Sequence, residues 1–212
     1  MMWTAEDCKQ LAPEQYGSRK RHRSVDQGSN KRMSADMMLM LRRPGVICSN
    51  DAKSCYDRIV HAVAALCMLR QRVPESAITC VFTTLQNLSH TIRTAYGDST
   101  STYGGSYWIV PATNEAGPMH GIMQGNGKGP ALWAVISSPV LAMLRADGYG
   151  TVFKLAISGD ELHYVGFSFV DDMDQIETAR TIDETAHDVV SQMQGGIDCW
   201  NGGVKVTGGA LV

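Results

Sequence analysis

Paired cysteines are missing from this 212-residue sequence. Its six cysteines form no Cys-X-X-Cys pair and show no Cys/His zinc spacing, which argues against a zinc site or a disulfide framework and predicts reduced thiols. No apolar run approaches the length of a membrane span, and the polar N-terminus lacks the apolar core of a signal peptide. We therefore expect an intracellular protein without membrane contact, in either the nucleus or the cytoplasm.

A strong excess of charge of one sign is also lacking, since the net charge is −2 at pH 7. The charges are nevertheless uneven along the chain. The first fifth contains the cluster Arg19, Lys20, Arg21 and Arg23, whereas residues 160–188 are rich in acids. A basic segment and an acidic centre are typical of a protein that holds a polyanion near a metal, and a solvated basic tail is the alternative.

Two adjacent carboxylates, Asp171 and Asp172, follow an aromatic and β-branched run, residues 163–170, that predicts a strand. Successive side chains of a strand point to opposite faces, so a tight turn is needed for both acids to serve one site. Asp51 ends another predicted strand, residues 45–51. Strand ends of one sheet meet on folding, so we expect these acids to form a site for a hard divalent cation. A surface turn or a helix cap is the alternative at each acid.

The remaining patterns predict both helices and strands, and a single α/β domain is the simplest interpretation of a chain of this length, although two small domains would also fit. The Gly-rich segment 121–130 fits either a helix entry or a ligand-binding loop, but it lacks the Gly-Lys-Ser/Thr ending of nucleoside triphosphatase loops. His61 lies in an apolar helical pattern and is expected to be structural. Predicted helices cover residues 24–41, 59–69, 75–89, 131–144 and 182–200, and predicted hairpins join residues 90–95 to 107–110 and 151–157 to 162–170.

Four motifs occur in an order that resembles the reverse transcriptases, in particular those of group II introns and non-LTR retroelements. Asp-Ala-Lys-Ser-Cys-Tyr-Asp (51–57) is similar to the first catalytic motif of that family. The Gln-Gly pair within 121–130 is similar to its second motif, and Phe-Val-Asp-Asp (169–172) to its aromatic-X-Asp-Asp motif. Gln-Tyr-Gly-Ser-Arg (15–19) is similar to a Gln-aromatic-Gly-Phe-Arg element of the fingers, with Ser18 in place of Phe. The resemblance extends from Gln15 to Val212.

This resemblance implies an α+β polymerase palm, with an antiparallel sheet packed on helices, over residues 44–212, and a partial fingers segment over residues 1–43. The implied activity is that of an RNA-directed DNA polymerase, a nucleotidyltransferase that acts on an RNA template, a DNA primer and deoxynucleoside triphosphates with two Mg²⁺ (or Mn²⁺) ions. The resemblance implies metal binding for Asp51 and Asp171 with support from Asp172. It implies a steric gate for Tyr56, a nucleotide pocket for Gln124 and Gly125, and a place near the primer end for Val170. The charge pattern, in turn, predicts nucleic-acid contacts for Arg19, Lys20, Arg21 and Arg23.

The chain departs from the family pattern at both ends. Earlier fingers strands have no room before Gln15, and the Pro-X-Lys element expected just after residues 208–212 is missing because the sequence stops at Val212. We therefore expect a fragment or a decayed copy. One alternative is a catalytically inactive polymerase-like fragment that only binds nucleic acid. Another is an RNA-templated RNA polymerase, against which Tyr56 argues because a bulky gate excludes ribonucleotides.

Overall fold

The fold is known from a computed structural model, which describes residues 2–53, 55–100, 103–104, 107–110, 115–118, 121–122, 127–155 and 157–211. Within these residues the helices are α1 (Met2–Asp7), α2 (Ser24–Leu41), α3 (Cys55–Arg58), α4 (His61–Arg70), α5 (Glu75–Gln86), α6 (Gly129–Ala146) and α7 (Ala186–Val206). The strands are β1 (Gly45–Asp51), β2 (Ser89–His90), β3 (Arg93–Thr94), β4 (Gly97–Asp98), β5 (Tyr103–Gly104), β6 (Tyr107–Val110), β7 (Glu115–Pro118), β8 (Thr151–Lys154), β9 (Glu161–Tyr164), β10 (Gly166–Phe169) and β11 (Asp172–Thr178). The protein is thus α+β, as predicted.

A three-stranded antiparallel sheet, in the order β1-β11-β10, forms the centre of the fold. The β10–β11 hairpin turns at Val170 and Asp171, which confirms the predicted hairpin around the acid pair. Strand β1 pairs with β11 over its whole length, from Gly45 opposite Thr178 to Asp51 opposite Asp172. Asp51 and Asp172, which are 121 positions apart in the sequence, are therefore adjacent at one end of the sheet.

Both faces of this sheet are covered by helices. On one face, Met38 of α2 packs with Tyr16, Phe167 and Ile176 in a buried cluster. On the other face, the side chains of Val165 and Met173 pack against α6 and α7 in a cluster that contains Leu141, Leu144, Trp200 and Val204. Because side chains alternate along β11, Asp172 and Asp174 face α2, whereas Met173 and Gln175 face α7.

Helix α6 differs from the sequence expectation in one respect. We expected no apolar run of membrane-spanning length, yet α6 has 18 residues and is, among the described residues, the one helix long and apolar enough to span a membrane. Within this fold 61% of that stretch is buried. The core helix of a globular protein has the same composition, and α6 contributes Leu132, Trp133 and Ile136 to the largest buried cluster.

Helix α7 begins and ends later than its apolar pattern predicts. Asp188 accepts hydrogen bonds from the Thr185 backbone N–H (2.8 Å) and donates its own N–H to the Thr185 hydroxyl (3.3 Å), which fixes the start at Ala186. The glycines after Trp200 suggested a turn. Instead Gly203 lies inside the helix, where a Cβ would be 2.4 Å from the Val140 side chain, so glycine there permits close packing of α7 on α6.

Two of the predicted strand pairings need correction. The predicted hairpin between residues 90–95 and 107–110 is wrong, because β3 turns back at once to pair with β4, β2 pairs with β5, and β6 pairs with β7. The pairing of β8 with β9 is confirmed, but the predicted strand 162–170 divides at Val165 into strands of two different sheets. Gly166 begins the second of these, and a Cβ there would lie 2.3 Å from the Asp174 carbonyl oxygen.

The turn between β10 and β11 is held by Gln15. Its side-chain Nε2 donates to the Val170 carbonyl (3.0 Å), and its Oε1 accepts from the N–H groups of Val170 (3.0 Å) and Gly17 (2.9 Å). Trp133 Nε1 of α6 also donates to the Val170 carbonyl, at 2.7 Å. Val170 has φ +60°, a left-handed conformation that is costly for a β-branched residue, so these contacts hold a strained backbone in place.

We predict that Gly17→Ala destabilises the protein because a Cβ at residue 17 would lie 2.3 Å from the Val170 backbone nitrogen. The expected loss in the free energy of unfolding is about 1–3 kcal/mol, as for other overpacked sites. The matched control is Gly28→Ala in α2, where nothing lies within 4 Å and alanine should stabilise the helix by about 0.5–1 kcal/mol. Urea unfolding of both variants is the measurement, and equal midpoints would contradict this packing.

Candidate active site

The predicted acids meet at one end of the central sheet. Asp51, the last residue of β1, lies directly opposite Asp172, the first residue of β11. Side chains of directly opposite residues in an antiparallel pair project to the same face. Asp171 is the turn residue immediately before Asp172 and is partly buried, whereas Asp51 and Asp172 are exposed. The fold therefore brings together the three carboxylates that the sequence singled out.

These carboxylates interact electrostatically. The pKa of Asp172 is raised above its usual value by partial burial first, and then by the negative charges of Asp171, Asp51 and Asp174. Like charges placed directly opposite each other in a sheet destabilise it. This end of the sheet thus brings like charges close together, and a cation bound there would reduce their repulsion.

Asp174, two residues further along β11, is an acid of a different kind. Its carboxylate pairs with Lys31 Nζ at 2.8 Å and accepts hydrogen bonds from Gln27 Nε2 (3.2 Å) and the Ser49 hydroxyl. Sequence reasoning missed this residue, although its position two after Asp172 in a strand places it on the same face. Because its charge is compensated from α2 and β1, Asp174 ties the basic N-terminal segment to the sheet beside the acids.

A cleft of about 430 Å³ opens next to the opposed acids. The first turn of α2 forms one wall, and the ends of β1 and β11 form the other. The cleft is lined by Ser24, Gln27, Ser49, Asn50, Asp51, Phe169, Asp172, Met173 and Asp174. Arg23, the last residue of the basic cluster, directly precedes Ser24 in the chain.

The side chains of the basic cluster differ in their exposure to solvent: Arg19 is partly buried, whereas Lys20, Arg21 and Arg23 are exposed. Arg19 forms an ion pair with Glu6 (2.8 Å) and donates to two backbone carbonyls, those of Ala12 (2.9 Å) and Gln15 (3.1 Å). Its guanidinium is thus engaged within the fold. Arg23 pairs with Asp26 at 2.9 Å, but 76% of its side chain is exposed, and Lys20 and Arg21 are exposed as well. The exposed cations are better placed than Arg19 for contact with a polyanion.

Cys55 and Tyr56 begin the short helix α3, just beyond the end of β1. Burial raises the pKa of the Cys55 thiol to about 12, with further contributions from the charges of Asp171 and Asp51. The pKa of Tyr56 is raised by burial first, and then by Cys55 and Asp171. Both side chains are therefore neutral at physiological pH, so a thiolate nucleophile is excluded and Tyr56 presents a partly buried neutral ring.

The start of the Gly-rich segment lies against α3. Ile122 N–H donates to the Tyr56 carbonyl at 2.6 Å, and Gly121 N–H donates to the Ile59 carbonyl at 2.8 Å. Gln124 and Gly125, predicted to line a nucleotide pocket, lie outside the described residues.

The acids fit a magnesium or manganese site by their chemistry. Among the residues that the structure describes, no group of three or more Asp, Glu, His or Cys side chains is arranged to hold a metal ion. Mg²⁺, however, is commonly bound by one or two carboxylates, with water and substrate phosphates completing its shell. Asp51, Asp171 and Asp172 supply oxygen ligands whose mutual repulsion such an ion would relieve.

Comparison with known proteins identifies the fold but not a family. No protein-family model and no curated protein matches the sequence. The chain is similar to telomerase from Candida albicans in complex with a TWJ fragment of telomeric RNA, with a TM-score of 0.53 at 13% identity over 99% of this chain and 32% of that chain. Apo telomerase from Candida tropicalis, truncated from its C-terminal domain, gives a TM-score of 0.46 at 12% identity over 93% of this chain and 34% of that chain.

The chain thus spans about a third of the length of these telomerase chains. At 13% identity, the likeness to the Candida albicans structure concerns the fold alone. This likeness does not test the resemblance to the enzymes of group II introns and non-LTR retroelements in particular. The chain therefore shares its fold with part of this telomerase structure.

Proposed function

We propose that this chain is the palm of an RNA-directed DNA polymerase of a retroelement, with a partial fingers segment over residues 1–43 and the palm over residues 44–212. The observation that carries the proposal is the β1–β11 register, which sets Asp51 opposite Asp172 beside the Asp171 turn. The sequence predicts the same three residues, both from their places at predicted strand ends and from the order of the motifs. The fold shared with part of the telomerase structure supports the proposal. The retroelement origin rests on the motif resemblance.

The proposed reaction is nucleotidyl transfer. The primer 3′-oxygen attacks the α-phosphorus of a deoxynucleoside triphosphate, a new P–O bond forms, and the bond to pyrophosphate breaks. Asp51 and Asp171 would hold two Mg²⁺ or Mn²⁺ ions, with Asp172 as a supporting ligand. Such ions, when bound, lower the pKa of the attacking hydroxyl and neutralise charge on the leaving group.

The remaining residues would orient the substrates. The neutral ring of Tyr56 would exclude the ribose 2′-hydroxyl, and Gln124 and Gly125 would line the nucleotide pocket. Val170, fixed by Gln15 and Trp133, would lie near the primer end. Since the turn cannot relax without losing these hydrogen bonds, the position of Asp171 is set before substrate binds.

The proposed partners are an RNA template and a DNA primer, held by the exposed cations Lys20, Arg21 and Arg23. Phosphate contacts of this kind release counterions, so the affinity should fall steeply with salt concentration. A localisation inside the cell, where such templates occur, remains part of the proposal.

A second candidate function is nucleic-acid binding without catalysis. The observation that favours it is that Lys20, Arg21 and Arg23 are exposed, since exposed cations can contact phosphates without any metal. Under this alternative the basic cluster would bind RNA while the acids serve no reaction. Binding and extension must therefore be measured separately.

We predict that Asp172→Asn stabilises the protein in the absence of divalent cations. The pKa of Asp172 is raised in the folded state. The carboxyl therefore favours the folded state while it is protonated. That stability is lost as the pH rises from the pKa of the unfolded state through the pKa of the folded state. At pH 7 the amide should raise Tm by about 1–3 °C. The control is Asp98→Asn, where the Arg93 hydrogen bond lowers the pKa of the carboxyl, so the same change should not stabilise. Thermal unfolding in EDTA is the measurement, and a lower Tm for Asp172→Asn would contradict the repulsion.

We also predict that Mn²⁺ raises the Tm of the parent protein, because an ion that binds only the folded state stabilises it by mass action. Asp51→Asn should remove most of this rise, since it deletes one of the opposed carboxylates. Asp36→Asn in α2 is the matched control, because Asp36 pairs with Arg32 at the surface and should leave the rise intact. An equal Mn²⁺ effect in all three proteins would show that these acids hold no ion.

The activity itself is tested by primer extension on an RNA template with deoxynucleotides and Mg²⁺ or Mn²⁺. The parent should extend the primer and Asp171→Ala should reduce extension to background, because it removes a proposed metal ligand. If the parent extends no more than Asp171→Ala, the polymerase function is wrong for this chain. RNA binding that then persists in both proteins and weakens with salt would support the binding function instead.

A further inference from the structure

His61, expected from the sequence to be merely structural, occupies a specific place beside the candidate site. It lies in the first turn of α4 and is buried. Its Nε2 is 2.7 Å from the Gly121 carbonyl oxygen, its Nδ1 is 3.2 Å from Gln86 Nε2, and its ring packs 5.0 Å from that of Phe82. A carbonyl can only accept, so Nε2 carries the proton, and Nδ1 then accepts from the Gln86 amide. The imidazole thus links α5 to the start of the Gly-rich segment.

Gly121, whose carbonyl contacts His61, and its neighbour Ile122 are both hydrogen-bonded to the backbone around Tyr56. Gly121 donates to the Ile59 carbonyl at 2.8 Å, and Ile122, fully buried, donates to the Tyr56 carbonyl at 2.6 Å. Gly121 has φ +90°, and a Cβ there would lie 2.8 Å from Asp57 Cα, so glycine is required for this close approach. Three hydrogen bonds therefore hold residues 121–122, which we call the strap: one to the backbone of Tyr56 in α3, one to the backbone of Ile59 just after α3, and one to the His61 side chain in α4.

We propose that His61 and Gln86 are positioning residues that fix Tyr56 through the strap, and that they thereby contribute to the preference for deoxynucleotides over ribonucleotides. The inference rests on the proposed polymerase function. His61 itself contacts the Gly121 carbonyl and not the carboxylates, so its effect reaches the nucleotide through the placement of Tyr56. Without the imidazole, the buried Gly121 carbonyl loses this hydrogen-bond donor, and opening of the strap costs less free energy. When the strap opens, the Tyr56 carbonyl loses its hydrogen bond from Ile122.

The first test needs no enzymatic activity. Hydrogen exchange at the Ile122 amide should become about tenfold faster in His61→Leu, because opening of the strap then costs less free energy. His163→Leu is the matched control, since His163 Nε2 also contacts a backbone carbonyl, that of Tyr149 at 2.8 Å, but on β9 away from Tyr56. It should leave the Ile122 amide unchanged. Gln86→Leu, which keeps the imidazole, should give a smaller increase and serves if His61→Leu does not fold.

The second test is the ratio of kcat/KM for deoxynucleotides to that for ribonucleotides in primer extension. His61→Leu should lower this ratio by about tenfold while kcat for deoxynucleotides changes less than about threefold, because the carboxylates are untouched. His61→Gln, whose amide can still donate to Gly121, should restore most of the ratio, and His163→Leu should keep it.

The two tests separate the inference from the function on which it rests. An unchanged Ile122 exchange rate in His61→Leu and Gln86→Leu overturns the positioning role, whatever the activity. Faster exchange with an unchanged sugar preference overturns the specificity role. Absence of extension by the parent protein overturns the proposed function, and with it the specificity role, whereas faster exchange at Ile122 would still establish that His61 fixes the strap.

Discussion

The hydrogen bonds between the Gln15 side chain and the backbone of Val170 are the interaction on which the site depends. One primary amide satisfies both the N–H and the carbonyl of a residue held at φ +60°. An unsupported turn would relax from this conformation, because valine is poorly tolerated there. The direction in which β11 leaves the turn, and hence the place of Asp172 opposite Asp51, follows from this support. Gln15 thus connects an N-terminal segment to the geometry of acids more than 150 residues away.

The charges of the site follow from what surrounds each acid. Asp174 and Asp172 project from the same face of one strand, but only Asp174 has a lysine, an amide and a hydroxyl around it. Asp172 instead faces Asp51 and follows Asp171, and its pKa is raised first by partial burial and then by these neighbouring charges. The fold compensates the charge of Asp174 and sets Asp51 opposite Asp172, so negative charge is concentrated beside the cleft. The first turn of α2, which follows the exposed cations of the N-terminal segment in the chain, forms a wall of this cleft. This is the electrostatic arrangement expected of a site that attracts both a divalent cation and a phosphate backbone.

The sequence predicted the parts of the molecule that depend on local pattern and on motif order. The structure has the expected strand β1 and the expected turn at the acid pair, and Asp51 lies beside that pair. These features were predictable because a short apolar run that stops at an acid predicts where a strand ends. Pairings between short polar strands were not predictable, since β3 and β4 have two residues each and no apolar alternation to fix a register. The true end of α7 was missed because glycine has two uses, in turns and in close helix packing, and only the contact of Gly203 with Val140 distinguishes them.

His61 shows most clearly what sequence pattern alone leaves open. A polar residue in an apolar helical pattern is usually a paired core residue, and His61 is indeed paired. What the pattern could not contain is the identity of its acceptor, the carbonyl of Gly121, sixty residues away. The two sides of the candidate site are then built alike: a buried amide holds the turn that carries Asp171, and a buried imidazole holds the strap that contacts Tyr56. In both cases a side chain fixes a backbone, so catalytic groups and gate would be positioned by the fold before any substrate arrives.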